Sequence, residues 1–151
     1  MENFSRRRSS ASSLILDSSA ALAWIYADEV TNVIREVFDA VAENGAWVPA
    51  LWRLELANSL TMAVRKRRID PDFRRAALAD LALLDITTDQ QTDSYAWTDT
   101  LNLADRVQLT VYDAAYLELA TRRGLPLATL DQDLGDAAMA IGVKVVGTER
   151  R

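Results

Sequence analysis

The stretch Leu14–Ala20, LILDSSA, decides how this chain is read. Three large aliphatic residues run unbroken into Asp17, and two serines follow. An apolar run this short fits a strand buried on both faces, as in a parallel sheet. A carboxylate is among the least welcome groups at the end of such a run. Asp17 therefore has two readings. It caps the next helix, a position aspartate fills well, or it waits for a metal ion.

Outward from this strand, apolar spacing places a helix over Ala20–Tyr26. A second covers Thr31–Ala42, with Val33, Ile34, Val37, Phe38 and Val41 at helical intervals and ENG as its stop. AWVP is a short strand, and Leu51–Arg67 a long helix. A further helix restarts after Asp70, with Pro71 in its first turn, and reaches about Leu84. DITT is extended, Ser94–Leu103 helical, and Thr110–Arg123 an amphipathic helix ended by Gly124. LPLAT is a strand, Asp131–Ile141 a helix and VKVV the last strand. Trp52 and Trp97 are expected in the core. Strands alternating with helices predict an α/β fold, a parallel sheet covered on both faces. Sites in such sheets lie beyond the carboxyl ends of the strands, and Asp17 and Asp131 follow two of those ends.

The 151 residues suit one domain, expected over 13–149, after an Arg/Ser-rich extension over 1–12 whose composition predicts disorder. RRRSSASSLIL is not read as a secretory signal, because Asp17 interrupts the apolar region after three residues. No apolar run approaches the roughly 20 residues of a membrane span. The chain has no cysteine, which removes disulfide and thiolate chemistry and suggests a reducing, cytoplasmic setting. It has no histidine, which removes the Ser-His-Asp and Cys-His nucleophile systems. Without either residue nearly every zinc site is excluded. Lys66 and Lys144 are the only lysines, and no glycine-rich phosphate motif occurs. Acid, base and metal-ligand chemistry falls to the 22 Asp and Glu. A net charge of −5 argues against nucleic-acid binding by bulk charge. Even so, Arg65, Lys66, Arg67, Arg68, Arg74 and Arg75 crowd into one short segment, and an acidic total can coexist with a basic docking patch.

Four acids stand out. Asp17 and Asp131 each follow a strand and are candidate helix caps. Asp133 and Asp136 read by default as first-turn acids favoured by the helix dipole. Asp113 stands three residues after Thr110, a capping box with Asp in place of Glu, although Val111, Tyr112, Ala114 and Ala115 around it suggest a buried surface. Glu55 shares a helical face with Leu51, Asn58, Ser59 and Met62, a polar notch on an apolar helix. Four carboxylates converging in a dry cleft would repel, and a divalent cation resolves the repulsion. Hard oxygen ligands select Mg²⁺ or Mn²⁺. Such ions activate water and steady phosphates without histidine or cysteine.

LILDSSA, VPALWRLELANSL, TVYDAAYLELA and LPLATLDQDL, in this order and spacing, resemble the signature of a PIN domain. More narrowly they resemble a VapC-type toxin of a bacterial toxin–antitoxin pair. The resemblance covers Leu14 to Gly147. It implies a three-layer α/β/α sandwich with a short, mainly parallel sheet, and a Mg²⁺- or Mn²⁺-dependent ribonuclease. It carries the family's four acids onto Asp17, Glu55, Asp113 and Asp131, with Asp17 and Asp113 as core metal ligands. Ser19 and Thr129 match the accompanying hydroxyls, and Asp133 an extra acid found in some members. It further implies metal-activated water attacking RNA, a homodimer, and a cognate antitoxin over the site. The basic segment Arg65–Arg75 becomes a candidate grip on the RNA backbone, against a plain solvated helix–helix junction. The Arg-rich extension departs from the family pattern. Two rival readings stand beside this one. A non-catalytic PIN-like scaffold would lack one or more of the acids. A receiver-type phospho-aspartate switch would want an acidic pair after the first strand and a lysine beside the site, whereas Asp17 is followed by serines and Lys144 begins the last strand.

Overall fold

Leu14–Leu16 (β1) is the central strand, and Ile15 and Leu16 are wholly buried, as an unbroken aliphatic run requires. The computed structural model describes residues 13–147. The expected extension over 1–12 and the last two residues of the expected domain lie outside them. One edge of β1 pairs with Ala46–Val48 (β2), Leu14 opposite Ala46. The other pairs with Leu127–Ala128 (β4), Leu16 opposite Ala128. Ile86–Thr88 (β3) lies outside β2, and Val145–Val146 (β5) outside β4. All four pairings are parallel, and the order is β3-β2-β1-β4-β5. The expected α/β fold, a short parallel sheet flanked by helices, is the one observed.

The chain winds outward from β1 to β3, then returns across the sheet to β4 and β5. The direction of winding reverses between β1 and β4. A crevice opens at such a reversal, beyond the carboxyl ends of the two strands. Asp17 and the Thr129–Asp131 step both lie at that edge.

Local chemistry explains most helix starts. In Asn32–Asn44 (α2) the Thr31 hydroxyl accepts from the Ile34 N–H, and Ile34, Val37, Phe38 and Val41 face the core. Gly45 ends it at φ 77°, where a Cβ would stand 2.9 Å from the Asp85 carbonyl. Pro71–Ala82 (α4) starts from Asp70, whose carboxylate accepts from the Phe73 N–H at 2.8 Å. Val111–Arg123 (α7) starts from Thr110, whose hydroxyl accepts from the Asp113 N–H at 3.1 Å.

Three expectations are corrected. The first helix, Ser18–Ile25 (α1), begins directly after Asp17, two residues earlier than apolar content suggests. The helix expected over Ser94–Leu103 is two helices, Thr92–Tyr95 (α5) and Asp99–Val107 (α6). The Thr92 hydroxyl anchors α5 to Asp89 and the Ala50 N–H, whereas α6 packs on α7, so the axis breaks between different partners. Trp97 falls at that break and is 90% exposed, not core, while Trp52 is buried as expected. Trp52–Arg65 (α3) and Gln132–Ala140 (α8) complete the helices described. Among the described residues no helix is long and apolar enough to cross a membrane.

Candidate metal centre

Asp17 occupies the N-cap position of α1 but makes no side-chain capping bond. Its side chain turns to the neighbouring strand end instead. Oδ2 accepts from Ser19 Oγ at 2.6 Å and from Thr129 Oγ1 at 2.7 Å. Backbone amides brace both hydroxyls: the Leu130 N–H donates to Ser19 and the Asp131 N–H to Thr129. Gly147, at φ 106°, lets the chain after β5 approach so closely that a Cβ there would stand 2.9 Å from the Thr129 carbonyl oxygen. Asp17 is 5% exposed, and Thr129 is fully buried. Burial pushes the Asp17 carboxyl above its usual value and the charge of Asp131 adds to this, against the hydroxyl hydrogen bonds.

The other acids arrive on separate elements. Glu55 lies in the first turn of α3, and its Oε1 accepts a short hydrogen bond from the Tyr116 phenol. Burial raises its pKa, followed by the charges of Asp17 and Asp113, while the Tyr116 bond opposes them. Asp113, in the first turn of α7, is pushed up to about 6. Burial is the largest cause, then the charges of Asp131 and Asp17, with Asp133 adding a little and Thr110 opposing. Asp131 performs the capping that Asp17 declines, accepting from the Leu134 N–H at 3.1 Å. Asp133 is exposed in the first turn of α8.

The four acids read from the sequence are thus close enough for charge to act between them: Asp131 raises Asp17, Asp17 and Asp113 raise Glu55, and Asp131 and Asp17 raise Asp113. Among the described residues none of them forms an ion pair. Nor, among those residues, do three carboxylates close into a ready-made metal cage. One oxygen of Asp131 is held by its capping bond and one of Glu55 by Tyr116. The donor chemistry still fits a hard divalent cation, since the set is all oxygen and carries unbalanced negative charge. Lys144 precedes β5 and its carbonyl pairs with the Leu127 N–H, which puts it at the opposite edge of the sheet from Asp17. The receiver-type reading therefore has no lysine at the site.

The basic segment sits at the far end of α3. Arg65 is ten residues beyond Glu55, roughly 15 Å along the axis. Half of the six cations are tied into the protein. Arg68 pairs with Glu29 at 2.9 Å and lies over the Tyr26 ring, Arg75 pairs with Asp72 at 2.8 Å, and Arg74 donates to the Thr61 hydroxyl. Lys66 and Arg67 are exposed and have no partner among the described residues, and Arg65 reaches only the Met62 sulfur. Part of the segment is thus tied into the helix–helix junction, and Arg65, Lys66 and Arg67 stand exposed.

Tyr116 was not singled out as a site residue from the sequence. Its spacing carries the signal, because it stands one turn after Asp113 on the same face of α7. A family profile described as "PIN domain" matches residues 14–139. The comparison with curated proteins finds no match. Among solved structures, the crystal structure of PAE2754 from Pyrobaculum aerophilum is 23% identical, with a TM-score of 0.62 over 89% of this chain and 84% of that one. At that identity the likeness speaks for the fold.

Proposed function

The chain belongs to the PIN-domain family, and we propose on that premise that it is a Mg²⁺- or Mn²⁺-dependent endoribonuclease. PIN domains are generally metal-dependent nucleases. One observation carries the reading to this chain: four acids from separate elements lie at the switch point of the sheet, without an ion pair among the described residues, with Asp113 pushed up to about 6 by burial and by Asp131 and Asp17.

Asp17 and Asp113 would hold the cation, with Glu55 and Asp131 completing the acidic wall. When bound, such an ion supplies Lewis acidity toward water and the scissile phosphate. The chain's own groups do the rest. Ser19 and Thr129 hold Asp17 in one orientation. Thr110 sets the start of α7 and so the position of Asp113. Arg65, Lys66 and Arg67 offer charge to the RNA backbone. The ordered four-motif resemblance supports the narrower reading of a VapC-type toxin acting in the cytoplasm as a homodimer, restrained by a cognate antitoxin. The scaffold alternative predicts that one or more of these acids is missing, and all four are present.

Cleavage of structured RNA with Mg²⁺ or Mn²⁺ separates the two. The wild type should cut only with metal. Asp17→Asn and Asp113→Asn should each lose several kcal/mol of barrier lowering, roughly hundredfold or more in rate. Metal-independent cutting, or full activity in both variants, refutes the nuclease reading. Growth arrest on expression, absent with Asp17→Asn, checks the toxin reading.

A further inference from the structure

Tyr116 is wholly buried in α7, yet its phenol donates to Glu55 on α3, 61 residues away in sequence. A tyrosine that only fills space needs no hydroxyl. A buried hydroxyl is costly unless it has a partner. Here the partner is one of the four site acids. Asp113 lies one turn back on the same helix. The phenol therefore joins the helix that carries Asp113 to the helix that carries Glu55.

Glutamate is long, and ordering its rotatable bonds at the moment of binding weakens binding. We propose that Tyr116 is a positioning residue whose hydroxyl fixes the Glu55 carboxylate, so that the acidic wall meets its cation already ordered. The proposal deepens the nuclease reading and rests on it. It assigns Tyr116 no contact with substrate or metal.

The test measures Mn²⁺ affinity by calorimetry in the wild type, Tyr116→Phe, Glu55→Ala and the double variant. Phenylalanine keeps the buried volume and removes only the hydroxyl. Outer hydrogen-bond partners of metal ligands are commonly worth 10- to 100-fold in affinity; Glu55 belongs to the acidic wall around the ligands, so Tyr116→Phe should weaken Mn²⁺ at the low end of that range, about tenfold. In the Glu55→Ala background the same change should do nothing. A general packing role would predict the same loss in both backgrounds. Glu55→Asp draws the carboxylate back by one methylene without touching the core, and should cost about as much as Tyr116→Phe. Unchanged affinity in Tyr116→Phe or in Glu55→Asp, or an undiminished loss in the Glu55→Ala background, overturns the proposal while leaving the nuclease reading intact. A wild type that binds no Mn²⁺ overturns both.

Discussion

Two buried aspartates each follow a strand of the same parallel sheet, and the fold treats them in opposite ways. Asp17 follows β1 and is 5% exposed; Asp89 follows β3 and is 1% exposed. Asp89 has arginines. Arg122 Nη2 lies 2.6 Å from it and also pairs with Glu118 through Nε at 2.7 Å. Arg123 stands 3.9 Å away, stacked on the Trp47 ring. Burial pushes Asp89 upward, but the Arg122 hydrogen bond and charge outweigh it and leave its pKa below the usual value. The Arg122 guanidinium is held even more firmly protonated by Glu118 and Asp89. Asp17 has two neutral hydroxyls and three acidic neighbours, and its pKa rises. A buried acid balanced inside the fold is a fastening. One left unbalanced among other acids has the charge pattern that the proposed cation would answer.

The largest expected effect breaks the balanced pair. Arg122→Ala leaves Glu118 buried without its cation and Asp89 with only Arg123 at 3.9 Å, and should cost about 3–5 kcal/mol in urea unfolding. Asp17→Asn should stay within about 1 kcal/mol of wild type, because it removes a charge that burial already disfavours. If Arg122→Ala unfolds no more easily than Asp17→Asn, the contrast is wrong.

A second effect is set by metal and pH. Asp113 ionises near 6 in the fold and near 3.8 in the unfolded chain. A raised carboxyl favours folding when protonated, so metal-free stability should fall as pH rises from about 4 through 6. Asp89 works in the other sense: its contribution is present above the ordinary carboxyl value of 3.8 and is lost as pH falls through its lowered one. Asp113→Asn should flatten the loss between pH 4 and 7. At pH 7.5, Mn²⁺ at a hundred times its Kd should restore about 2.7 kcal/mol. Thermal melts across pH, with and without Mn²⁺, check both.

The smallest effect separates two roles of one residue. Asp131→Ala removes the cap on the Leu134 N–H and should cost about 1 kcal/mol, whereas Asp131→Asn keeps the cap and should change metal affinity more than stability.

Several features were legible because they close over a few residues. The caps at Thr110 and Asp131 each join a side chain to an N–H three residues on, so residue type and spacing make them candidates. The burial of β1 follows from LIL alone. Asp17 shows where this stops. The sequence offers a good cap, and the structure shows an N-cap position whose side chain is bonded 112 residues away, to Thr129. Asp89 and Arg122 meet across 33 residues, and Tyr116 meets Glu55 across 61. Spacing can place Tyr116 on the face of Asp113, but nothing periodic or local pairs it with Glu55 or Asp89 with Arg122.

The sequence by itself determined the alternation of strands and helices, the absence of histidine and cysteine chemistry, and the acids available. These depend on composition and on periods of two to four residues. Only the tertiary structure decided which aspartate caps, which is fastened by arginine, and which stands among like charges. A carboxylate's state depends on what surrounds it within a few ångströms, and those surroundings come from strand order and helix packing.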